Sequence, residues 1–357
     1  MSDSTQQQLT RITVANDGRL KANFSDNSII LLNSGGSSFI HCSTSGQVTR
    51  QLCQYALSRH APLLAWVLEF RNMHLDVPHL PPSVLKLYPS TTGAFSLGYH
   101  IREVWWPEGL SEAQSKGLVK VLPDGKVAVS AVDSSARAVL HVHRQRFAVC
   151  YPLLIQERPL DGKFDYIWHT QVFSMQSYPA RWQPAVELLL GAADLEELRD
   201  SDQTLDQQEG PSPTTPLALL DVRGQPSPAC SVLPLPADRE GPSTALNTDF
   251  PPDSWWFEAT LALLPNDQVI TLEWTPAATY QFLPQCGSGE VEVWIHQDES
   301  CLRSTKRGHF LAHYKGAGQL QQQQLYASQC VPEYVWSSGG GERYLLGHIA
   351  AHALKLR

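Results

Sequence analysis

The stretch VANDGRLKANFSDNSIILL, residues 14–32, decides the fold of the region around it. The Asn-Asp-Gly triplet that ends at Gly18 favours a tight hairpin turn, because these residues tolerate the positive φ angles that such turns require. Apolar and polar residues then alternate over residues 19–24, which is typical of a strand with one buried face. A polar turn at residues 25–28 precedes a third strand. The stretch therefore predicts a three-stranded antiparallel meander.

A second stretch repeats this pattern. Residues 121–135 read VLPDGKVAVSAVDSS and align with residues 14–28 without a gap. The residues that define the two copies are Asp17, Gly18, Phe24 and Asp26 in the first and Asp124, Gly125 and Asp133 in the second. A spacing of roughly a hundred residues exceeds that of solenoid units and favours two related domains. Chance similarity between common turn residues is the alternative explanation.

Composition limits the classes to which the protein can belong. The chain has 357 residues, of which 42% are hydrophobic and 17% charged, so it can form two or three domains with real cores. A net charge of −8 argues against a nucleic-acid-binding protein. The sequence shows no signal peptide and no apolar run long enough to cross a bilayer. Seven scattered cysteines favour free thiols. These features predict an intracellular, cytoplasmic protein.

Each copy of the pattern continues into a helix. Pro62 suits a first helical turn, and apolar residues recur at helical spacing over residues 63–68. Pro184 begins a similar apolar run over residues 186–190. The sequence therefore predicts an α+β fold in which each antiparallel sheet is closed by one helix.

These patterns divide the chain into five regions. They are an N-terminal domain (1–75), a connector rich in proline and aromatic residues (76–117), a second domain (118–197), a disordered Pro/Ser-rich linker (198–252) and a β-rich C-terminal region (253–357). We interpret the connector as an extended segment whose aromatic residues pack onto the sheets, and a partner-binding strap is the alternative.

The residues of the first unit resemble a polo box, which consists of antiparallel strands followed by one helix. The diagnostic line, an aromatic residue, an Asp and a short apolar strand, is read at residues 24–31, and Thr49-Arg50 before the helix fits as well. Residues 1 to about 75 resemble more closely the N-terminal domain of the chromosome five open-reading-frame thirty-four family. Phe70-Arg71-Asn72 and the later segments 291–296 and 313–315 also fit that family. Its members continue into a further β-rich region, and whether this chain is a shortened form is left open.

The resemblance implies protein recognition rather than catalysis. Polo boxes of the polo-like kinases bind phosphorylated peptides or pair with partners at centrosomes and centrioles. The phosphate-gripping version carries His and Lys one and three places after the diagnostic Asp, and both would neutralise a phosphate. Those places hold Asn27 and Ile29 in the first unit and Ser134 and Ala136 in the second. The resemblance therefore implies tandem modules that bind proteins without phosphate or self-associate, with a cell-cycle or centrosomal role.

The sequence predicts no catalytic residue and no cofactor. The alternative is a metal-binding protein or cryptic enzyme using His141 and His143, which lie at alternate positions of a predicted strand. Zinc requires three or four ligands, so we interpret the pair as polar residues on a solvated sheet face. His41 and Cys42 suggest a thiol nucleophile, but neighbours along a strand point to opposite faces.

The proline-rich linker carries three candidate phosphorylation sites. Ser212, Thr215 and Ser227 each precede a proline, which suits a proline-directed kinase. Phosphate at these positions would create a docking site for an arginine-bearing partner. A plain spacer is the alternative, because such dipeptides arise easily in a tract of this composition.

Overall fold

The computed structural model describes residues 7–80, 82, 84–85, 94–158, 160–203, 270–283, 290–305, 308–315, 322–337 and 343–356. These residues fold as two compact units. Unit 1 contains residues 7–85 together with the described residues from 270 onward, and unit 2 contains residues 94–203. The fold is mixed α+β, with antiparallel sheets, few helices and a sheet that curls into a half-barrel.

Unit 1 is built mainly from strands. Its elements are β1 (Leu9–Ala15), β2 (Leu20–Phe24), β3 (Ile29–Leu32), β4 (Ser38–Cys42), β5 (Val48–Leu52), α1 (Ala61–His74), β12 (Ile270–Trp274), β13 (Ala278–Leu283), β14 (Glu290–Ile295), β15 (Cys301–Ser304), β16 (Phe310–Lys315), β17 (Gln322–Ala327), β18 (Val335–Trp336), β19 (Arg343–Tyr344) and α4 (Leu346–Leu356). A short 3₁₀ helix, Cys53–Tyr55, follows β5.

Unit 2 contains the remaining described elements. They are β6 (Ala94–Leu97), α2 (Leu110–Ser115), β7 (Val119–Val121), β8 (Val127–Ser130), β9 (Arg137–Leu140), β10 (Arg146–Arg158), β11 (Lys163–Ser174) and α3 (Gln183–Gln203). The strands form one sheet in the order β6-β11-β10-β9-β8-β7, with α3 packed on β8 and β9.

The N-terminal and C-terminal strands of unit 1 belong to one sheet. Its order is β17-β16-β15-β14-β13-β12-β1-β2-β3-β4-β5. The junction is an antiparallel pairing of β1 with β12, in which Ile12 lies opposite Trp274 and Val14 lies opposite Leu272. The C-terminal strands therefore extend the N-terminal meander in the same sheet.

The two helices of unit 1 cover opposite faces of this sheet. α1 packs against the face that carries Val14 and Leu272. In the ladder between β12 and β13, Leu272 lies opposite Gln281, so the neighbouring Tyr280 points to the other face. Tyr280 and its neighbours on that face pack against α4. Each face of the sheet thus has its own core and its own helix.

Equivalent positions fill the cores beneath α1 and α3. In unit 1 they are Leu20, Ala22, Ile30, Leu32 and Phe39, and in unit 2 Val127, Val129, Ala138, Leu140 and Phe147. Each buried Val, Leu, Ile or Phe side chain among them contributes about 1.5–3 kcal/mol to folding. Pro62 and Pro184 lie in the first turns of α1 and α3, as predicted. Both regions are thus five-stranded meanders followed by a helix.

The predicted Asp-Gly turns have the same geometry in both units. Gly18 has a φ of 80° and Gly125 a φ of 78°. The carboxylate Oδ1 of Asp17 accepts a hydrogen bond from the Arg19 N–H at 3.0 Å, and Asp124 does the same for Lys126 at 3.2 Å. Glycine is favoured here because a Cβ atom is strained at such a φ.

The second turn is also shared. Asp26 accepts from the Ser28 N–H and Asp133 from the Ser135 N–H, each at 2.9 Å. The residues between them, Asn27 and Ser134, have φ angles of 65° and 59°. The turn closes from Phe24 N–H to Ser28 O in unit 1, but from Ala131 N–H to Ala136 O in unit 2. The unit 2 turn therefore holds one additional residue before its next strand.

Two expectations are corrected by the described elements. The connector is not simply extended, because it contains β6 and α2. Its Phe95 packs on the sheet as expected, with its ring 5.9 Å from that of Tyr166. The start of the predicted linker is helical, since α3 continues to Gln203. The region 204–269 lies outside the described residues.

Candidate protein-interaction surface

The strand β5 ends the eleven-stranded sheet on the side of the first meander. It pairs with β4, with Ile40 opposite Arg50 and His41 opposite Thr49. Within the part of the chain that the structure describes, β4 is the sheet neighbour of β5. The strand thus presents its other side outward, and such an edge is a template on which an additional strand can form hydrogen bonds.

The direction of the β5 backbone groups follows from its flanking hydrogen bonds. Cys53 N–H donates to Ser37 O at 2.8 Å, and Gln47 O accepts from Ser43 N–H at 2.9 Å. In an antiparallel pair, every second residue of a strand forms hydrogen bonds with the neighbouring strand. Gln47 and Cys53 bond on the side of β4, so Thr49 and Gln51, the odd-numbered residues between them, also face β4. The N–H and C=O groups of Val48 and Leu52 therefore point away from β4.

Large apolar side chains are exposed along this edge. The exposed fractions are 45% for Val48, 42% for Leu52, 72% for Tyr55 and 46% for Leu57. We call these four side chains, together with the outward backbone of β5, the β5 edge. Clustered exposed apolar residues on a sheet edge are typical of a partner-binding surface.

A buried contact holds the segment after β5 in place. The side chain of Gln51 accepts a hydrogen bond from the Leu57 N–H at 2.6 Å, and its amide nitrogen lies 2.6 Å from His60 Nδ1. His60 is buried and its ring stacks on that of His41 at 4.2 Å. Burial, with smaller effects from His41 and Arg59, lowers the pKa of His60 to about 4. His60 is therefore neutral near pH 7.

The proposed thiol nucleophile receives no support from its surroundings. Cys42 follows His41 on β4, so the two side chains point to opposite faces. Burial raises the pKa of the Cys42 thiol, although Lys21 opposes the effect. A nucleophilic cysteine requires the reverse, a lowered pKa that generates thiolate.

The location predicted for His141 and His143 is wrong. Strand β9 ends at Leu140, so both histidines lie in the turn before β10, and both are buried rather than solvated. The two rings are in contact, with centroids 4.1 Å apart and planes tilted by 39°. Among the described residues, no group of three or more His, Cys, Asp or Glu side chains is arranged to hold a metal ion. The hairpin turn interrupts the alternation on which the prediction relied.

A buried polar cluster in the C-terminal strands was not found from the sequence. His313 Nε2 lies 3.1 Å from both Ser300 Oγ and Tyr344 Oη, and the two hydroxyls are 3.2 Å apart. Burial, aided by Lys315 and opposed by Asp298, lowers the pKa of His313 to about 4. The three residues are distant in sequence and form no motif.

The geometry of this cluster suits a structural role. A Ser–His contact resembles a nucleophile and its base, but such a base needs an acceptor that orients its second nitrogen. The structure gives His313 Nδ1 no hydrogen-bond partner among the described residues. All three side chains are also buried, which keeps a substrate away from them. We interpret the cluster as a link between β16, β19 and the residue before β15.

The other predicted residues occupy turns or lie outside the described part of the chain. The residues that define the two modules lie in the two turns of each meander and in the adjoining strands. Ser212, Thr215 and Ser227 lie outside the described residues. Among the helices of the described residues, none is long and apolar enough to cross a membrane.

The comparisons with known proteins concern the N-terminal region. Residues 12–72 match the family model described as C5orf34-like, N-terminal. The match includes β2–β5, nearly all of α1 and the whole β5 edge. Unit 2 and the C-terminal strands lie outside the matched residues. No curated protein matches the chain.

Proposed function

We propose that this chain is a non-catalytic scaffold that binds other proteins through two polo-box-like modules. The modules are the meander with α1 in unit 1 and the meander with α3 in unit 2. The observation that carries the proposal is the β5 edge, where an outward strand is flanked by exposed apolar side chains. Strand addition to such an edge is a general mode of protein recognition.

The shared turns support a common origin for the two modules. Both copies place an Asp carboxylate beneath a tight turn and a residue of positive φ beside it. Their helices pack over matching core positions. This agreement extends beyond the short sequence match, because it includes the order of the strands and the face that the helix covers.

Partner recognition in this proposal does not use phosphate. The positions that would carry the phosphate-binding His and Lys hold Asn27, Ile29, Ser134 and Ala136, none of which is cationic. Ala136 is buried, and Asn27 and Ser134 occupy the strained tips of their turns. Phosphate-independent pairing, with other proteins or with itself, is therefore the mode we propose.

The cellular context of the proposal comes from the resemblance alone. A polo-box-like scaffold would act inside the cell, with a cell-cycle or centrosomal role. A metal-binding or enzymatic role for His141 and His143 is the second candidate, but the burial of both rings does not favour it.

The test is partner identification followed by reconstitution. Proximity labelling of the full chain in dividing cells would supply candidate partners, which are then purified and mixed with the chain at about 10 μM. We expect at least one stable complex on size-exclusion chromatography. Failure of all reproducible candidates to form a complex would contradict the scaffold proposal. Localisation of the tagged chain against a centrosomal marker tests the cellular context.

A further inference from the structure

We infer that the β5 edge accepts an extended partner segment in which an acidic residue has an apolar residue two positions before it and another two positions after it. The segment would add to the sheet as a new strand beside β5. This inference rests on the proposed function and specifies the chemistry of the partner. It is carried by the backbone direction of β5, by the side chains along it and by the charge of the surrounding sequence.

The backbone of β5 provides the hydrogen bonds. The N–H and C=O groups of Val48 and Leu52 point away from β4, as the flanking bonds at Cys53 and Gln47 require. An incoming strand would bond to these groups, while the bonds at Thr49 and Gln51 remain with β4. Addition of a strand thus requires no rearrangement of the existing ladder.

The side chains of β5 determine the preferred pattern of the partner. Val48, Arg50 and Leu52 lie on the same face of the sheet and are all exposed. Directly opposed side chains on neighbouring strands interact favourably when both are apolar or when their charges are opposite. A partner strand therefore fits best when an acidic residue lies opposite Arg50 and apolar residues lie opposite Val48 and Leu52. Tyr55 and Leu57 extend the apolar surface beyond the strand.

The charge around the edge favours an acidic partner. Between Asn27 and Leu68 the sequence contains two arginines, Arg50 and Arg59, and no aspartate or glutamate. Both arginines are exposed. This local excess of positive charge occurs in a chain whose net charge is −8. The two exposed arginines would thus attract an acidic segment to this edge.

The same charge argues against a second copy of the chain as the occupant. Two identical β5 strands can pair along their full length, with matching faces, in an antiparallel register centred on Arg50. This register places Val48 opposite Leu52, which is favourable, but it also places Arg50 opposite Arg50. Like charges directly opposed on neighbouring strands are destabilising. The occupant we infer is therefore a different, acidic segment.

The test uses the full chain and labelled peptides of about seven residues. The first probe has valine at its second and sixth positions, glutamate at its fourth and threonine elsewhere, so that the three side chains lie on one face of the strand. The second probe replaces the glutamate with lysine, and the third moves the glutamate by one position, to the face opposite the valines. Fluorescence anisotropy measures binding. We expect the first probe to bind at least about tenfold more tightly than the other two, because only it satisfies both the pattern and the charge.

Hydrogen exchange at single-residue resolution identifies the mode of binding. The amides of Val48 and Leu52 should exchange more slowly when the valine–glutamate probe is bound. Those of Thr49 and Gln51, which already face β4, should change little. Binding without protection of the outward amides would overturn the inference, since the probe would then occupy another surface.

Two variants at Leu52 distinguish the contribution of its backbone N–H to binding from that of its side chain. Leu52 has a φ of −75°, which proline adopts without strain, and its N–H does not bond to β4. We expect Leu52→Pro to weaken the probe at least about tenfold, because one donor is lost. Leu52→Thr keeps the donor and should weaken it less. Equal binding to wild type and Leu52→Pro would overturn the inference.

Charge reversal tests the acidic preference. Arg50→Glu should weaken the valine–glutamate probe about tenfold and strengthen the valine–lysine probe. Arg102→Glu is the matched control, because Arg102 is an exposed arginine of unit 2. It should leave both affinities unchanged. Equal effects of the two reversals would show a non-specific charge effect and overturn the inference.

The outcomes also distinguish this inference from the scaffold proposal. Sedimentation velocity of the chain alone should show a monomer, and a dimer lost in Leu52→Pro would assign the edge to a second copy and overturn our choice of partner. If purified partner complexes form equally well with Leu52→Pro, the scaffold proposal stands and the β5 edge is excluded. If no complex forms while the probe binds as expected, the edge assignment stands alone.

Discussion

At the scale of single residues, one buried carboxylate connects three elements of unit 1. Glu273 on β12 is fully buried. Its Oε2 accepts a hydrogen bond from Arg11 Nη2 of β1 at 2.6 Å, and its Oε1 lies 2.7 Å from His352 Nε2 of α4. The carboxylate thus joins the N-terminal strand, the C-terminal strands and the helix that covers them.

We predict that Glu273→Gln destabilises unit 1 by roughly 2–4 kcal/mol. The glutamine amide keeps the shape, but its NH₂ group faces a donor, and the positive charge of Arg11 loses its partner. Urea unfolding followed by circular dichroism measures the effect. Glu333→Gln is the control, because Glu333 is exposed. Equal unfolding midpoints for the two variants would contradict the prediction.

The buried Arg71 of α1 is a second residue whose side chain connects separate segments of unit 1. Its Nη2 donates to Ser34 O at 2.7 Å, and its Nη1 donates to Asn72 Oδ1 and to Val77 O, both at 3.0 Å. The guanidinium thus connects the β3–β4 turn to the segment after α1. Asn72 continues this link, since its side chain bonds to both backbone groups of His79. The Phe70-Arg71-Asn72 segment, which carried the family resemblance, therefore has a structural role.

We predict that Arg71→Lys destabilises the chain by about 2–3 kcal/mol although the charge is kept. A single ammonium group cannot reach three acceptors that are arranged around a planar guanidinium. Thermal unfolding measures the loss. The exposed Arg102→Lys should have no effect, and a similar result for both lysine variants would argue against a role for the guanidinium geometry.

At the scale of elements, the equivalent turns of the two meanders should respond equally to the same change. Gly18→Ala and Gly125→Ala each place a Cβ atom at a φ near 80°. We expect each to cost about 1 kcal/mol. Chemical unfolding of the single variants measures this cost.

Gly98→Ala is the control for this comparison, because Gly98 has no positive φ and open space around it. A large cost at one turn and none at the other would contradict the equivalence of the two turns.

The polar cluster beneath α4 predicts a dependence of stability on pH. The pKa of His313 falls from its ordinary value of 6.5 to about 4 in the folded chain, mainly through burial. Between these values the unfolded chain binds a proton that the folded chain does not. The contribution of His313 to the free energy of unfolding should therefore be fully present above pH 6.5. It should decrease as the pH falls towards 4 and change no further below that pH. The contribution of this histidine is up to about 3 kcal/mol.

The measurement compares wild type with His313→Gln across this range. Lys315 and Asp298 act on the same ring and are left unchanged in both proteins. We expect the variant to lose less stability than wild type between pH 6.5 and 4. Parallel stability curves for the two proteins would show that the histidine does not titrate as we infer.

At the scale of the whole molecule, the two units should differ in their ability to fold alone. Unit 2 is contained in residues 94–203, with its sheet and α3 complete. Residues 7–85 lack β12, so β1 keeps β2 but loses its second neighbour, and the core beneath α1 loses Leu272. We expect the 94–203 fragment to unfold cooperatively as a monomer. The 7–85 fragment should aggregate or be poorly folded.

Size-exclusion chromatography and thermal unfolding of each fragment measure this difference. Addition of residues 270–356 should increase the stability of the 7–85 fragment by restoring β12. A monomeric 7–85 fragment as stable as the full chain would contradict the importance of the β1–β12 pairing.

Local patterns could be read from the sequence, whereas distant pairings could not. Turn chemistry and alternation predicted the meanders, because Gly18 and Gly125 each determine the geometry of their immediate neighbours. Pro62 and Pro184 likewise indicated the helix starts. The pairing of β1 with β12 depends on complementarity between segments far apart in the chain, which no local signal records.

The candidate site was only partly predictable for the same reason. The sequence does not show that β5 lies at the end of the sheet, because this place depends on the order of all eleven strands. The polar cluster of Ser300, His313 and Tyr344 forms only when three distant segments meet. His141 and His143 were misplaced because a turn begins where the alternation seemed to continue.

The long interval between β1 and β12 has a consequence during synthesis. Arg11 and its partner Glu273 are 262 positions apart, and ribosomes add about 5–20 residues per second. A nascent chain therefore carries β1 for roughly ten to fifty seconds before β12 has been translated. During that time one edge of the newly made strand has no neighbouring strand. We expect ribosome-associated chaperones to bind it until translation of the C-terminal strands is complete.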